Sequence, residues 1–391
     1  MVIAHVLSSF GMGGQERMAL ELARAQRSAG HTVLAISLAP EPEGPHGAGF
    51  RACGARVYTV AKRRRGFDAT LPLRIAAVLR REGARVVHTH NPQPLIYGAL
   101  AGRLSRAGVV HTKHGVNPDS FRRRALRRAA ASLVDAYVAV SRPTAEVARR
   151  HRECAATKLC VIANGVDVGR YAPSTEARSE LRRAFGIPAE AWVVGTVGRL
   201  APEKDHELLV RAAEPLLGDR FWLVIVGDGP QAGELRDLIE RMPAGRFVRL
   251  TGSRDDVERL LSAFDVFALS SSTEGLPLVV PEAMAAALPI VSTAVGGLPD
   301  VLEEGRTGHL VRPNDEQGLR NALRSLSEDK DHARVMGEYA REVAGELYSA
   351  ARMARDYMTL YESVLKKQRT RRRTRAPQFR WLLDPKREAP A

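Results

Sequence analysis

Short, mostly apolar runs recur along the whole chain, and the stretches between them carry apolar residues at helical spacing. The first series is Val2–Leu7, Thr32–Ser37, Arg56–Thr59, Arg85–His88, Val109–Thr112, Ala136–Val140 and Leu159–Ile162. A second series follows: Trp192–Val197, Trp222–Val226, Phe247–Leu250, Val266–Leu269, Ile290–Ser292 and His309–Val311. Helical patterns such as Gln15–Ser28 and Pro72–Arg81 lie between the runs. Apolar strands alternating with helices predict parallel sheets covered on both faces, hence an α/β fold.

The two series are separated by Asn164-Gly165-Val166-Asp167 and a polar stretch reaching Pro188. This break predicts two Rossmann-like domains in tandem, residues 1–167 and 168–349. A last helix, about Ala350 to Lys367, follows the second sheet and could pack back on the first domain. Residues 368–391 read as a basic, flexible tail.

The length of 391 residues and the 45% apolar content allow a full core in each domain. No apolar run reaches the roughly 18 residues that a membrane span needs. The N-terminus reads as a first strand and lacks the basic region of a signal peptide. Cys53, Cys154 and Cys160 have no metal-type spacing, so inert thiols in a reducing cytosol are expected.

The formal net charge of +15 is unevenly placed. Residues 1–167 carry 26 Lys+Arg against 11 Asp+Glu, residues 168–350 carry 21 against 29, and residues 351–391 carry 12 against 4. A basic first half, an acidic second half and a basic tail suggest that one domain faces an anionic surface.

The candidate chemistry sits at strand ends. After Val266–Leu269 comes Ser272-Thr273-Glu274-Gly275-Leu276-Pro277-Leu278-Val279-Val280-Pro281-Glu282, leading into an Ala-rich helix. Glu274 falls in the loop and Glu282 on the first turns of that helix. Open α/β sheets bind ligands at such places. A rise of about 1.5 Å per helical residue puts the two carboxylates at least roughly 12 Å apart. A retaining glycosidase needs about 5–5.5 Å. The pair suits two grips on one extended ligand; two solvated glutamates, one capping a helix, are the plain alternative.

The first strand ends in Gly11-Met12-Gly13-Gly14-Gln15-Glu16, a glycine turn that lets backbone amides approach an anion. It is neither a dinucleotide fingerprint nor a P-loop. The second series opens with a strand ending in Gly198-Arg199-Leu200-Ala201-Pro202-Glu203-Lys204. A lysine in a first helical turn opposes the helix dipole unless an anion sits there. Arg199 and Lys204 could clamp a diphosphate, or they could be exposed loop cations. Gly227-Asp228-Gly229 closes the next strand and could approach a nucleotide or cap a helix. His88, His90, His111 and His114 also cluster at strand ends. Without cysteine or acidic partners nearby a metal is disfavoured; His88 and His111 read as core residues, and a sugar-binding histidine is the better alternative.

In their order these motifs resemble the retaining glycosyltransferases of family 4, over most of residues 1–365. The resemblance rests on Gly13-Gly14, His114-Gly115, Asn164-Gly165-Val166-Asp167, Gly198-Arg199 with Lys204, Gly227-Asp228-Gly229, and Glu274 through Glu282. It implies a GT-B fold, two Rossmann-like domains facing across a cleft. It implies that Arg199 and Lys204 bind the donor diphosphate, that Glu274 contacts the donor sugar near the reacting carbon, and that Glu282 holds the ribose. The Leu278 and Val279 amides would meet the phosphates, as would Gly13 and Gly14 from across the cleft; Gly198, Gly227 and Gly229 would complete the donor side. His114 would sit beside sugar and acceptor. The implied cofactor set is empty: a nucleotide-diphosphate-sugar as substrate, and no metal. The implied mechanism retains configuration, with acceptor attack on the face the nucleotide leaves. Pro277 stands where the family often has glycine, and Pro281 is also unusual; neither has an N–H to give.

The basic first domain would be the acceptor side. Arg63-Arg64-Arg65, Arg122-Arg123-Arg124 with Arg127-Arg128, Arg149-Arg150 with Arg152, and the tail from Lys366 to Arg375 followed by Phe379-Arg380-Trp381-Leu382-Leu383 predict contact with an anionic membrane surface. The expected acceptor is lipid-linked or a growing glycan in envelope or exopolysaccharide synthesis, and the expected location the inner face of the membrane. Nucleic acid is not expected, because no stacking platform accompanies the basic runs. A nucleotide-sugar 2-epimerase on the same fold and a non-catalytic basic membrane adaptor are the competing readings.

Overall fold

The computed structural model describes residues 1–40, 44–63, 66–115 and 121–375. The seven strands of the first series are β1 (Val2–Leu7), β2 (Thr32–Ser37), β3 (Arg56–Thr59), β4 (Val86–His90), β5 (Gly108–Lys113), β6 (Ala136–Ala139) and β7 (Leu159–Val161). The six of the second are β8 (Trp192–Val197), β9 (Phe221–Val226), β10 (Val248–Leu250), β11 (Val266–Leu269), β12 (Ile290–Thr293) and β13 (Gly308–Val311).

They form two parallel sheets, ordered β3-β2-β1-β4-β5-β6-β7 and β10-β9-β8-β11-β12-β13. Every inner strand is buried along most of its length, which is why each reads as an apolar run. In both sheets the order reverses beside the first strand, between β1 and β4 and between β8 and β11. Such switch points leave a crevice at the carboxyl ends of the strands. The architecture is therefore α/β of the GT-B type.

The Asn164-Gly165-Val166 segment pairs with the return of the chain. The Val166 N–H donates to Tyr348 O and the Ala350 N–H to Val166 O, both at 2.8 Å. A Cβ on Gly165 would lie 2.4 Å from Ser349 O, so only glycine lets the two crossings touch. The helix Ala350–Arg375 then packs on the first sheet, burying Tyr357 and Tyr361 completely. It runs beyond the expected Lys367. Phe379 through Leu383, part of the predicted membrane segment, lie outside the described residues.

Candidate active site

The carboxyl ends of the two sheets enclose a cleft of about 690 Å³. Gly13, Gly14 and His114 line it from the first sheet. Gly198, Arg199, Lys204 and Gly227 line it from the second. Glu274, Leu278, Val279 and Glu282 form a third side. Gly229 is the exception among the residues the sequence singled out: it does not line the cleft. A Cβ there would lie 2.3 Å from Leu200 O, so this glycine serves a tight backbone crossing.

The glycine turn after β1 opens directly into the helix Gly14–Ser28. The Glu16 carboxylate folds back over Gly13, where a Cβ would lie 2.2 Å from its oxygen and would have to displace that side chain. The turn after β9 uses Gly227 at φ +146°, pressed against Gly198 O. Only glycine permits that conformation and approach.

Lys204 is not on the first turn of an α-helix, as the sequence suggested. It ends a short 3-10 turn, Pro202–Lys204, and Asp205 follows in the left-handed region at φ 46°. The Asp205 carboxylate caps the next helix by accepting from the Leu208 N–H at 3.3 Å. The reversal at Asp205 separates Lys204 from that helix. The Lys204 ammonium instead donates to Glu274 Oε1 at 2.5 Å, and the Ser271 hydroxyl donates to the same oxygen at 2.7 Å. Arg199 is exposed and its guanidinium makes no hydrogen bond or ion pair among the described residues.

Glu282 is 2% exposed on the helix Val279–Ala285. Burial raises its pKa, while Arg17 and a hydrogen bond from Tyr171 pull the other way. Arg17 Nε lies 3.1 Å from Glu282 Oε1, and the Arg17 guanidinium also donates to the Tyr171 hydroxyl. Arg17 comes from the first-domain helix, so this pair spans the cleft. The sequence reading missed Arg17; its one signal was a cation in the first turn of the helix behind the glycine loop. At that helix end, among the described residues, the Leu278 and Val279 amides meet no backbone carbonyl.

His114 sits where the two halves touch. A Cβ on Gly275 would lie 2.3 Å from His114 O. Gly275 O accepts from the Gly297 N–H at 2.7 Å, and Leu276 O accepts from Asn164 Nδ2 at 2.9 Å. Burial holds the His114 imidazole down to about 3, so it is neutral. His46 and Asn164 also line the cleft without having been singled out as ligand-facing.

Of the basic clusters, Arg123, Arg128, Arg149, Arg150 and Arg152 are exposed. Arg127 is not: it is 5% exposed and lies 3.8 Å from Glu153, inside a buried group that includes Lys113 and Tyr137. No described helix is long and apolar enough to cross a membrane.

Comparison with known proteins agrees with this geometry. The family model described as Glycosyltransferase Family 4 matches residues 12–170, and that described as Glycosyl transferases group 1 matches residues 177–343. The chain is 31% identical over 329 residues to alpha-maltose-1-phosphate synthase of Mycolicibacterium smegmatis, covering 77% of this chain and 85% of that protein. It is 29% identical over 266 residues to UDP-Gal:alpha-D-GlcNAc-diphosphoundecaprenol alpha-1,3-galactosyltransferase of Escherichia coli, covering 65% and 69%. Among solved structures, Anabaena Alr3699/HepE in complex with UDP-glucose superposes with a TM-score of 0.82 at 24% identity, covering 93% of this chain and all of that one.

Proposed function

We propose, from the premise that this chain belongs to the family 4, group 1 glycosyltransferases, that it moves a sugar from a nucleoside-diphosphate donor to a lipid-linked or growing glycan acceptor with retention of configuration. One observation carries the reading. Two cations (Arg199 and Lys204) and two carboxylates (Glu274 and Glu282) from separate strand ends line a single cleft of donor size.

The proposed division of labour follows from charge. Arg199, free of ion pairs among the described residues, and Lys204 take the diphosphate and stabilise it as it leaves. The Leu278 and Val279 amides add donors at a helix N-terminus. Glu274 faces the sugar, and Glu282 holds the ribose end. The departing phosphate accepts the acceptor's proton, and the acceptor oxygen bonds to the anomeric carbon on the same face. The protein supplies position and charge, with no metal required. The Escherichia coli relative, by its name, uses UDP-galactose and a diphosphoundecaprenol-linked acceptor. That supports a uridine donor and a lipid-linked acceptor as first candidates.

Peripheral attachment to the inner face of the membrane is the proposed location, through the exposed arginines of the first domain and the basic tail. Flotation with anionic liposomes at low and high salt tests it; absence of lipid-dependent binding defeats it.

The reaction is tested by incubating the protein with labelled UDP-, GDP- and dTDP-sugars and membrane extract, with and without a chelator. Transfer with an α-configured donor giving an α-linked product supports the reading. A 2-epimer of the donor as the product, or no turnover of any donor, refutes it.

A further inference from the structure

Four side chains form a hydrogen-bonded line from the core of the first domain to the cleft. Gln26 Oε1 lies 2.9 Å from His5 Nε2. His5 Nδ1 lies 3.0 Å from His90 Nε2, and His90 Nδ1 lies 3.1 Å from His114 Nε2. Gln26, His5 and His90 are fully buried, and His114 lines the cleft. The proposed reaction gives none of the four a role, and only His114 reaches the cleft.

The protons in this line are not independent. Burial lowers the pKa of all three histidines, to about 4 for His5, to about 3 for His114 and well below the ordinary value for His90. Each is therefore neutral near pH 7 and carries one N–H. A neutral imidazole donates from one nitrogen and accepts at the other, whereas an amide oxygen only accepts. Gln26 Oε1 therefore requires the proton of His5 on Nε2. His5 Nδ1 is then bare and accepts from His90 Nε2–H. His90 Nδ1 is bare in turn and accepts from His114 Nε2–H. The count leaves His114 Nδ1 with a lone pair and, among the described residues, no partner.

We propose that Gln26 is a positioning residue: through His5 and His90 it fixes the tautomer of His114 so that Nδ1 faces the cleft as a hydrogen-bond acceptor. The ligand group at that point must then donate. A sugar hydroxyl fits, whereas a carboxylate or phosphate oxygen would set lone pair against lone pair. The reverse amide orientation would place a donor at His5, reverse every proton, and leave Nδ1–H on His114.

A metal is the rival explanation, because His5, His88 and His90 have ring nitrogens within 4.8 Å of one another. His88 is already satisfied on both sides, by Thr112 Oγ1 and the Tyr361 hydroxyl, each at 2.7 Å. A metal would have to break these bonds and the His5–His90 bond together.

The inference depends on the transferase reading only for its kinetic arm. The deciding measurement is long-range ¹H–¹⁵N NMR of histidine-labelled protein near neutral pH, in the wild type and in Gln26→Met. The wild type is expected to show His114 as the single Nε2–H tautomer, and Gln26→Met a mixture. Loss of one acceptor contact should also lower kcat/KM in Gln26→Met by about three- to tenfold. A wild-type His114 protonated on Nδ1 overturns the proposal, as does an unaltered His114 spectrum in Gln26→Met, or a stoichiometric transition metal in the purified protein. If Gln26→Met does not fold, the wild-type spectrum decides alone. If no donor is turned over while the tautomer is as expected, the reaction assignment fails and this one stands.

Discussion

The Lys204 ammonium and the Glu274 carboxylate neutralise one another across 2.5 Å of the cleft. Both are less than a quarter exposed, so the contact is poorly screened. A donor diphosphate arriving at Lys204 must compete with Glu274 for the ammonium. Replacing Glu274 by Gln keeps the size and an acceptor oxygen but releases the lysine. Glu274→Gln is expected to bind a nucleoside diphosphate as tightly as the wild type or more tightly, while kcat falls by about 10²–10³-fold. Calorimetric titration with UDP and a turnover assay check both halves. Wild-type turnover in this variant would remove Glu274 from the reaction.

Contact between the halves sets a second expectation. The backbone at Gly275 abuts His114 O so closely that an added methyl would lie 2.3 Å from that oxygen. Gly275→Ala must therefore push the loop and the first domain apart. The nucleotide contacts through Arg199 and Lys204 should survive, because these residues lie on other loops. Nucleotide Kd should change by less than about threefold, while kcat/KM falls at least about tenfold, about 1.4 kcal/mol. Equal losses in both would show that Gly275 is needed only for local folding.

The nine inner strands were legible because a strand buried on both faces has no polar register to confuse the reading. The cleft-lining glycine turns and spaced glutamates were legible because each has a local physical reason, whereas Lys204 lines the cleft from the end of a 3-10 turn and not from the helix start that singled it out. What could not be read was which distant side chains meet. Arg17 and Glu282 stand 265 positions apart and meet only because two sheets face each other. His5 and Gln26 look like an ordinary strand residue and an ordinary helix residue until folding aligns them with His90. Arg127 counted as a surface charge because its neighbours are arginines, yet it points inward to Glu153. Gly229 belongs to the same turn as Gly227, but only Gly227 reaches the cleft. Local chemistry is written in the sequence, while the partners of a buried charge are not.

That Arg17–Glu282 pair yields a stability prediction. Glu282 is buried, and Arg17 and the Tyr171 hydroxyl offset the cost of its charge. Arg17→Met keeps the side-chain volume and removes the cation. Breaking one side of a buried pair costs about 3–5 kcal/mol, and partial exposure of Arg17 places this case toward the lower end. Urea denaturation should show that loss. Glu282→Gln with Arg17→Met should recover much of it, because a neutral amide needs no counter-charge. A double variant no more stable than Arg17→Met would mean that Arg17 acts through packing and not through the carboxylate.

The buried histidines make the fold sensitive to mild acid. In the folded protein His5 and His206 titrate near 4 and His114 near 3, because burial penalises the charged ring. His88, His90 and His111 are lowered in the same direction for the same reason. Unfolded, each returns to about 6.5. Between those values the unfolded chain binds more protons than the folded one, so stability rises with pH across the window and is lost as pH falls below about 6.5. Each histidine contributes a slope of up to about 1.4 kcal/mol per pH unit there. Burial raises the pKa of Glu16 and Glu282, which gives the opposite sign but only above the ordinary carboxylate value. Six histidines outweigh two glutamates, so the urea midpoint should drop steeply between pH 6.5 and pH 5 and stay nearly flat from pH 7 to 8. His5→Gln should flatten the acid limb by about one proton. A midpoint unchanged between pH 7 and pH 5 would mean that these imidazoles are open to water, and with that the neutral line from Gln26 to His114 would lose its basis.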